Sequence, residues 1–271
     1  MKDYFGKDAS RLLKKKLYLF DMDGTIYLEN RLFDGVLELF KKIKADGGRY
    51  VFITNNSSKS VKDYLKKVRK MGIEASDENF FTSTQAAIML LKEKHANETI
   101  YAQGTKSFIK ELKKSKLTIV TKYDPTATVV LIGNDLEVTG EKLRNTCELL
   151  TNHEVAYYGT NPDWVCPTSF GYVPDCGSMS EGIARATGKS PVFIGKPEPT
   201  MIYAAMEKFG AKKEETAVFG DRLYTDIASG INAGVDAVFV LSGEATLEDL
   251  AKATGAEVPT FVFESVKDLL S

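Results

Sequence analysis

Histidine is almost missing from this chain: 271 residues contain only His95 and His153. They stand at unrelated spacings, which leaves almost no support for an HExxH metal site or a Ser-His-Asp triad. Cysteine is nearly as scarce. Cys147, Cys166 and Cys176 are odd in number and form no CxxC pair, which argues against structural zinc and for a reducing compartment. The single tryptophan, Trp164, reads as a packing residue. No charge of one sign dominates. Thirty-six Lys plus Arg against 37 Asp plus Glu give a net charge of -1, so there is no basic field to attract nucleic acid or anionic lipid. The run Lys14, Lys15, Lys16 is the solvated end of an N-terminal segment rather than a binding patch. No apolar run approaches the ~18 residues of a membrane span, and the N-terminus lacks the apolar stretch of a signal peptide. A cytoplasmic protein with neither nucleic acid nor membrane as partner is expected.

What is present is an ordinary globular balance, 43% hydrophobic and 27% charged, in a chain long enough for a large core and one or two domains. Short apolar runs rich in β-branched and aromatic residues, "LYLF", "YVFIT", "ATVVLIG", "PVFIG", "TAVFG", "DAVFVL" and "TFVF", alternate with helical patterns. Apolar throughout, they fit a parallel sheet covered on both faces. Val61, Tyr64, Leu65 and Val68 follow helical spacing after a serine-rich cap at Ser57 and Ser58, and Ile202, Ala205, Met206 and Phe209 repeat it before Gly210. In open α/β sheets ligands bind beyond the carboxyl ends of the strands. Those ends carry Asp21 and Asp23, then Thr54 and Asn55, then Lys196, then Asp221 with Asp226. Singly, each has a bland reading as a turn former, cap or exposed charge. Together, four acids, a hydroxyl and an ammonium at successive strand ends call for a divalent cation and an anion.

The stretches "DMDGT", "FITNNSS", "GKPEP" and "GDRLYTDI" resemble the four ordered motifs of the haloacid dehalogenase (HAD) superfamily of phosphotransferases. The versions "DMDGTIYL", "NNSS" and "GDRLYTDIASGINAG" are similar to its subfamily IIA, the NagD-like and 4-nitrophenylphosphatase-like phosphatases. That resemblance implies a Rossmann-like, doubly wound parallel sheet core with an inserted α/β cap domain of the C2 type. Residues 1–83 together with 188–271 would be the core and 84–187 the cap, a lid above the site that excludes water and reads the leaving group. Phosphoryl transfer needs positioning and charge neutralisation above all. Asp21 would attack phosphorus to form an aspartyl-phosphate. Asp23, two residues on along an extended chain, would share its face and serve as acid and base. Gly24 would allow a tight turn with N–H groups near the phosphate. Thr54 and the backbone N–H of Asn55, together with Asn56 and Lys196, would bind phosphate. Magnesium would be held by Asp21, the Asp23 carbonyl and Asp221, with Asp226 behind them orienting Lys196 or waters.

The expected reaction is therefore magnesium-dependent hydrolysis of small phosphometabolites, such as sugar phosphates, nucleoside monophosphates, pyridoxal phosphate or glycerol phosphate, and of aryl phosphates. A non-hydrolytic phospho-acceptor or phosphate-sensing protein on the same fold is the alternative, and Asp23 opposes it, because a stable phospho-aspartate is better served by a residue that cannot activate water. Dehalogenation does not need the full acid set. The stretch "ATGKSP" invites a P-loop reading, but Ile183 stands where that motif needs glycine and the preceding residues look helical. Within the insertion, Asp175 occupies a place where the family pattern usually has glycine. It caps a helix starting near Ser178, faces solvent or selects the leaving group. Family members often pair through their caps, so a homodimer through the cap stays open.

Overall fold

Apolar runs with no polar alternation must be covered on both faces, and two parallel sheets result. The computed structural model describes residues 1–168 and 170–270. It forms two compact units, the first made of Met1–Thr54, Tyr64–Phe81 and Lys196–Ser271, the second of Asn55–Asp63 and Thr82–Gly195.

The sheet of the first unit has six strands in the order Phe261–Phe263, Asp236–Val240, Thr216–Gly220, Leu17–Phe20, Arg49–Thr54, Phe80–Thr82. The strands from Phe261–Phe263 to Arg49–Thr54 pair in parallel. The order reverses beside Leu17–Phe20, which is central and buried along its whole length. Its register sets Phe20 beside Phe219 on one side and Phe52 on the other, so Asp21 leaves the sheet level with the ends of both neighbours. Stacked rings fix the level: Phe20 and Phe219 lie 4.6 Å apart, and Phe40, from the helix Val36–Ala45, lies 4.2 Å from Tyr50. That helix buries Val36, Leu39, Phe40 and Ile43, a helical stripe aimed at the sheet. The helix Thr200–Phe209 ends at Gly210 in the left-handed conformation, as its sequence indicates.

The second unit has a parallel five-stranded sheet in the order Val192–Phe193, Ala156–Gly159, Ala127–Ile132, Thr99–Gln103, Thr118–Val120. An antiparallel hairpin pairs Val165–Thr168 with Gly171–Pro174. The "PVFIG" run, expected in the same sheet as "LYLF", instead supplies the edge strand beside Ala156–Gly159. An apolar pentapeptide says that a strand forms but not which sheet it joins. Here Gly195 donates to the Thr160 carbonyl at 2.9 Å and extends that pairing to the last residue before Lys196.

The helix Val61–Lys70 is also capped differently from the expectation. Ser60 and Asp63 exchange bonds, Ser60 N–H to Asp63 Oδ2 at 3.1 Å and Asp63 N–H to Ser60 Oγ at 3.3 Å. Ser57 and Ser58 are buried, Ser57 Oγ meeting the Thr160 hydroxyl at 2.8 Å and the Ser58 carbonyl accepting from Thr105 at 2.7 Å. No helix among the described residues is long and apolar enough to cross a membrane.

Candidate active site

Asp21 follows the central strand directly, its N–H still donating to the Phe219 carbonyl at 2.8 Å. Lys196 begins the last segment of the first unit, and its ammonium donates to Asp21 Oδ1 at 2.6 Å and Asp226 Oδ1 at 2.5 Å, with the Ile53 carbonyl at 3.4 Å. The lysine side chain is 2% exposed. A buried ammonium is tolerated only when paired and hydrogen-bonded, and both conditions hold.

Asp221, after the strand Thr216–Gly220, accepts from the Glu244 N–H at 2.7 Å and the Thr25 hydroxyl at 3.3 Å. Asp226 lies on the π-helical turn Leu223–Ile227, and its Oδ2 accepts the Arg222 N–H at 3.1 Å. Each of Asp21, Asp221 and Asp226 offers an oxygen within 4.8 Å of the others. Burial, with the neighbouring Asp221 charge adding and Lys196 opposing, pushes the Asp21 carboxyl up to about 6. Burial and Asp226 push Asp221 up to about 7. Burial raises Asp226 to about 6 against the pull of Lys196, with Asp21 adding to the rise. Burial disfavours the Lys196 charge, yet the two carboxylates hold its pKa above the ordinary lysine value. Three acids around one ammonium are short of positive charge, and an all-oxygen donor set suits a hard divalent cation.

Asp23 stands apart from this cluster. Its carboxylate is 37% exposed, with the Tyr27 hydroxyl 3.3 Å from Oδ2 and the Lys67 ammonium 3.4 Å from Oδ1. Gly24 makes the turn, but not by offering its N–H to a ligand, since that group donates to the Tyr27 carbonyl at 2.8 Å. Its φ is +87°, and a Cβ there would lie 2.3 Å from Asp221 Oδ2, so glycine is required for two independent reasons.

The other expected residues divide. Thr54 is buried at the end of the strand Arg49–Thr54. Asn55 and Asn56 spend their side chains within the second unit. The Asn55 amide donates to Asp163 Oδ2 at 2.7 Å, while Asn56 accepts from Ser58 and reaches the Cys166 sulfur at 3.6 Å. Asp175 does not hang free from a surface. It is 3% exposed and is the N-cap of the helix Cys176–Thr187, two residues earlier than expected. Its carboxylate accepts from the Asn134 and Asn161 amides at 2.9 and 3.0 Å. The capping alternative accounts for that environment.

Sequence reasoning missed Tyr27, Lys67 and the loop around Glu244. Tyr27 lies inside "DMDGTIYL", where proximity to Asp23 offers a signal. Lys67 is one of several lysines on its helix, and nothing local distinguishes it.

The chain matches the haloacid dehalogenase-like hydrolase model over residues 18–118 and a second, HAD-hydrolase-like model over residues 193–269. It is 34% identical over 256 residues to an acid sugar phosphatase of Staphylococcus aureus, covering 94% of this chain and 97% of that one. The structure of a 4-nitrophenylphosphatase from Thermotoga maritima is similar at a TM-score of 0.89 and 38% identity, covering 96% of this chain and 97% of the other. A glycerol phosphate phosphatase from Mycobacterium tuberculosis, in complex with magnesium, is similar at a TM-score of 0.89 and 25% identity, covering 99% of this chain and 79% of that one.

Proposed function

This chain belongs to the haloacid dehalogenase-like hydrolases and is a phosphatase acting on small phosphorylated molecules, and on that basis we propose that it cleaves phosphomonoesters in two steps through an aspartyl-phosphate on Asp21. The observation that carries the reading is the buried Lys196 ammonium held between Asp21 and Asp226, with Asp221 beside them and the exposed Asp23 carboxyl only two residues from Asp21.

In the first step an Asp21 oxygen bonds to phosphorus as the bond to the leaving oxygen breaks, and Asp23 supplies that oxygen with a proton. In the second step Asp23 takes a proton from water, the water oxygen bonds to phosphorus, and the Asp21–phosphorus bond breaks to release phosphate. Lys196 balances the negative charge of Asp21 and of the phosphoryl oxygens in a site that largely excludes water, where such pairing counts most. The Thr54 hydroxyl would hold a phosphoryl oxygen. Magnesium would fit the oxygen donors: Asp21, Asp221 and the Asp23 carbonyl would hold it, with Asp226 behind them orienting Lys196 or waters. When bound, it supplies the positive charge the acid cluster lacks. Substrates are small phosphate esters such as sugar phosphates, glycerol phosphate and aryl phosphates.

The test is Asp21→Asn with 4-nitrophenyl phosphate, together with rapid acid quench of the wild type on labelled substrate. Turnover should fall at least a thousandfold, and the wild-type quench should yield a hydroxylamine-labile phosphoenzyme. More than a tenth of wild-type activity in the variant, or no trapped phosphoenzyme, refutes the assignment.

A further inference from the structure

Asp23 has to meet the leaving oxygen in one step and a water in the next, so its carboxylate cannot be buried. An exposed aspartate on a turn, however, is free to rotate, and the first unit contains what would restrain it. Two side chains grip opposite oxygens of the carboxylate. The Tyr27 hydroxyl reaches Oδ2 at 3.3 Å, and the Lys67 ammonium reaches Oδ1 at 3.4 Å. The two are also bound to each other, because the Lys67 ammonium lies over the Tyr27 ring, 3.7 Å from its centroid, within cation–π range.

Neither support can drift. Tyr27 is fully buried and belongs to the same turn as Asp23, closed by the Gly24 N–H on the Tyr27 carbonyl at 2.8 Å and the Tyr27 N–H on the Met22 carbonyl at 3.3 Å. Lys67 comes from a separate element, the helix Val61–Lys70, which is anchored by buried Tyr64 and Val68 on either side of it. Its side chain is 17% exposed, against 37% for Asp23. The result is a two-point clamp with one jaw built into the catalytic turn and the other into a packed helix.

We propose that Lys67 and Tyr27 are positioning residues that hold the Asp23 carboxyl where it can protonate the leaving oxygen, and so set how well the enzyme handles substrates that need that proton. The inference rests on the reading of Asp23 as the proton donor. A misplacement of about 1 Å in such a group is enough to cost large factors in rate. The competing use of Lys67, direct attraction of the substrate's phosphate, would act on every phosphate ester alike.

Leaving-group dependence separates the two. A nitrophenolate departs without a proton, whereas the alkoxide of an alkyl phosphate needs one. Because kcat/KM reports the phosphorylation of Asp21, the ratio of kcat/KM for glycerol 3-phosphate to that for 4-nitrophenyl phosphate reads Asp23's donation. Any misfolded fraction in a preparation cancels from that ratio. Lys67→Met and Tyr27→Phe should each lower it about tenfold or more, within the range positioned proton transfer contributes, and Lys67→Arg should restore most of it. Asp23→Asn, measured alongside, should lower it further still. If Asp23→Asn lowers the ratio and Lys67→Met and Tyr27→Phe do not, the clamp is overturned and the proton-donor reading stands. If Asp23→Asn leaves the ratio unchanged, the proton-donor reading fails and the clamp with it. Equal losses on both substrates, carried by KM, would make Lys67 a phosphate-attracting residue and overturn the proposal.

Discussion

Replacing Lys196 by methionine removes the ammonium that pairs with both Asp21 and Asp226. Methionine nearly conserves the volume, so little of the effect comes from a cavity. What remains is electrostatic: two buried carboxylates lose their counter-ion, and breaking a buried pair by removing one partner costs about 3–5 kcal/mol. Lys196 now opposes the effect of burial on both acids. Without it their pKa values rise above the present value of about 6 for each. A carboxyl whose pKa is raised by folding binds protons in the folded state before the unfolded state does. Stability then rises as pH falls through the raised value toward the ordinary 3.8. The damage should therefore be largest near pH 8 and should shrink toward pH 5, as protons replace the missing ammonium. The assay is hydrogen exchange by mass spectrometry, in chelator, on peptides covering the strands Leu17–Phe20 and Thr216–Gly220, corrected for intrinsic exchange at each pH. At pH 8 the variant should exchange roughly two to four powers of ten faster than the wild type, the equivalent of that free energy. Equal protection at pH 8, or a loss that grows on acidification, would refute the electrostatic account.

Chelator should abolish hydrolysis and magnesium restore it, with calcium a poor substitute because its larger, looser shell fits this small oxygen cluster less well; full activity in chelator would remove the metal from the site. Asp221→Ala should raise the magnesium concentration needed for half activity more than Asp226→Ala does, because Asp226 already gives both oxygens to Lys196 and Arg222; the reverse order, from activity titrations, would exchange their roles. Asp175→Gly should destabilise the second unit by roughly 1–3 kcal/mol, a few tenths from the exchanged helix cap and the rest from the Asn134 amide left buried without this acceptor. Trp164 fluorescence in urea reads that loss, and an altered substrate ranking with stability intact would return Asp175 to choosing the leaving group.

The residue order alone determined most strands of the two larger sheets, several of the helices and the four motifs that meet at the acid cluster, and the reason is geometric; it gave no sign of Phe80–Thr82 or Ala156–Gly159. Strands of a parallel sheet all point the same way, so polar residues that follow apolar runs collect at one edge whatever lies between them. Asp21 and Asp221 could be expected near each other without knowing the sheet order. Gly210 was readable as a helix stop because its conformational freedom is a property of the residue itself. Only tertiary structure decided the rest. Val192–Phe193 joined the sheet of the second unit because its edge was open beside Ala156–Gly159, and an apolar run carries no address. Ser57, Asn55 and Asp175 look in sequence like loop and site residues, yet all three are buried in hydrogen bonds to residues tens of positions away. Lys67 reaches Asp23 from 44 positions along the chain, and the Glu244 N–H reaches Asp221 from a loop beyond the next strand. Such contacts depend on how far one element is rotated and slid against another, which is settled by the packing of whole helices and sheets and leaves no trace in the local order of residues.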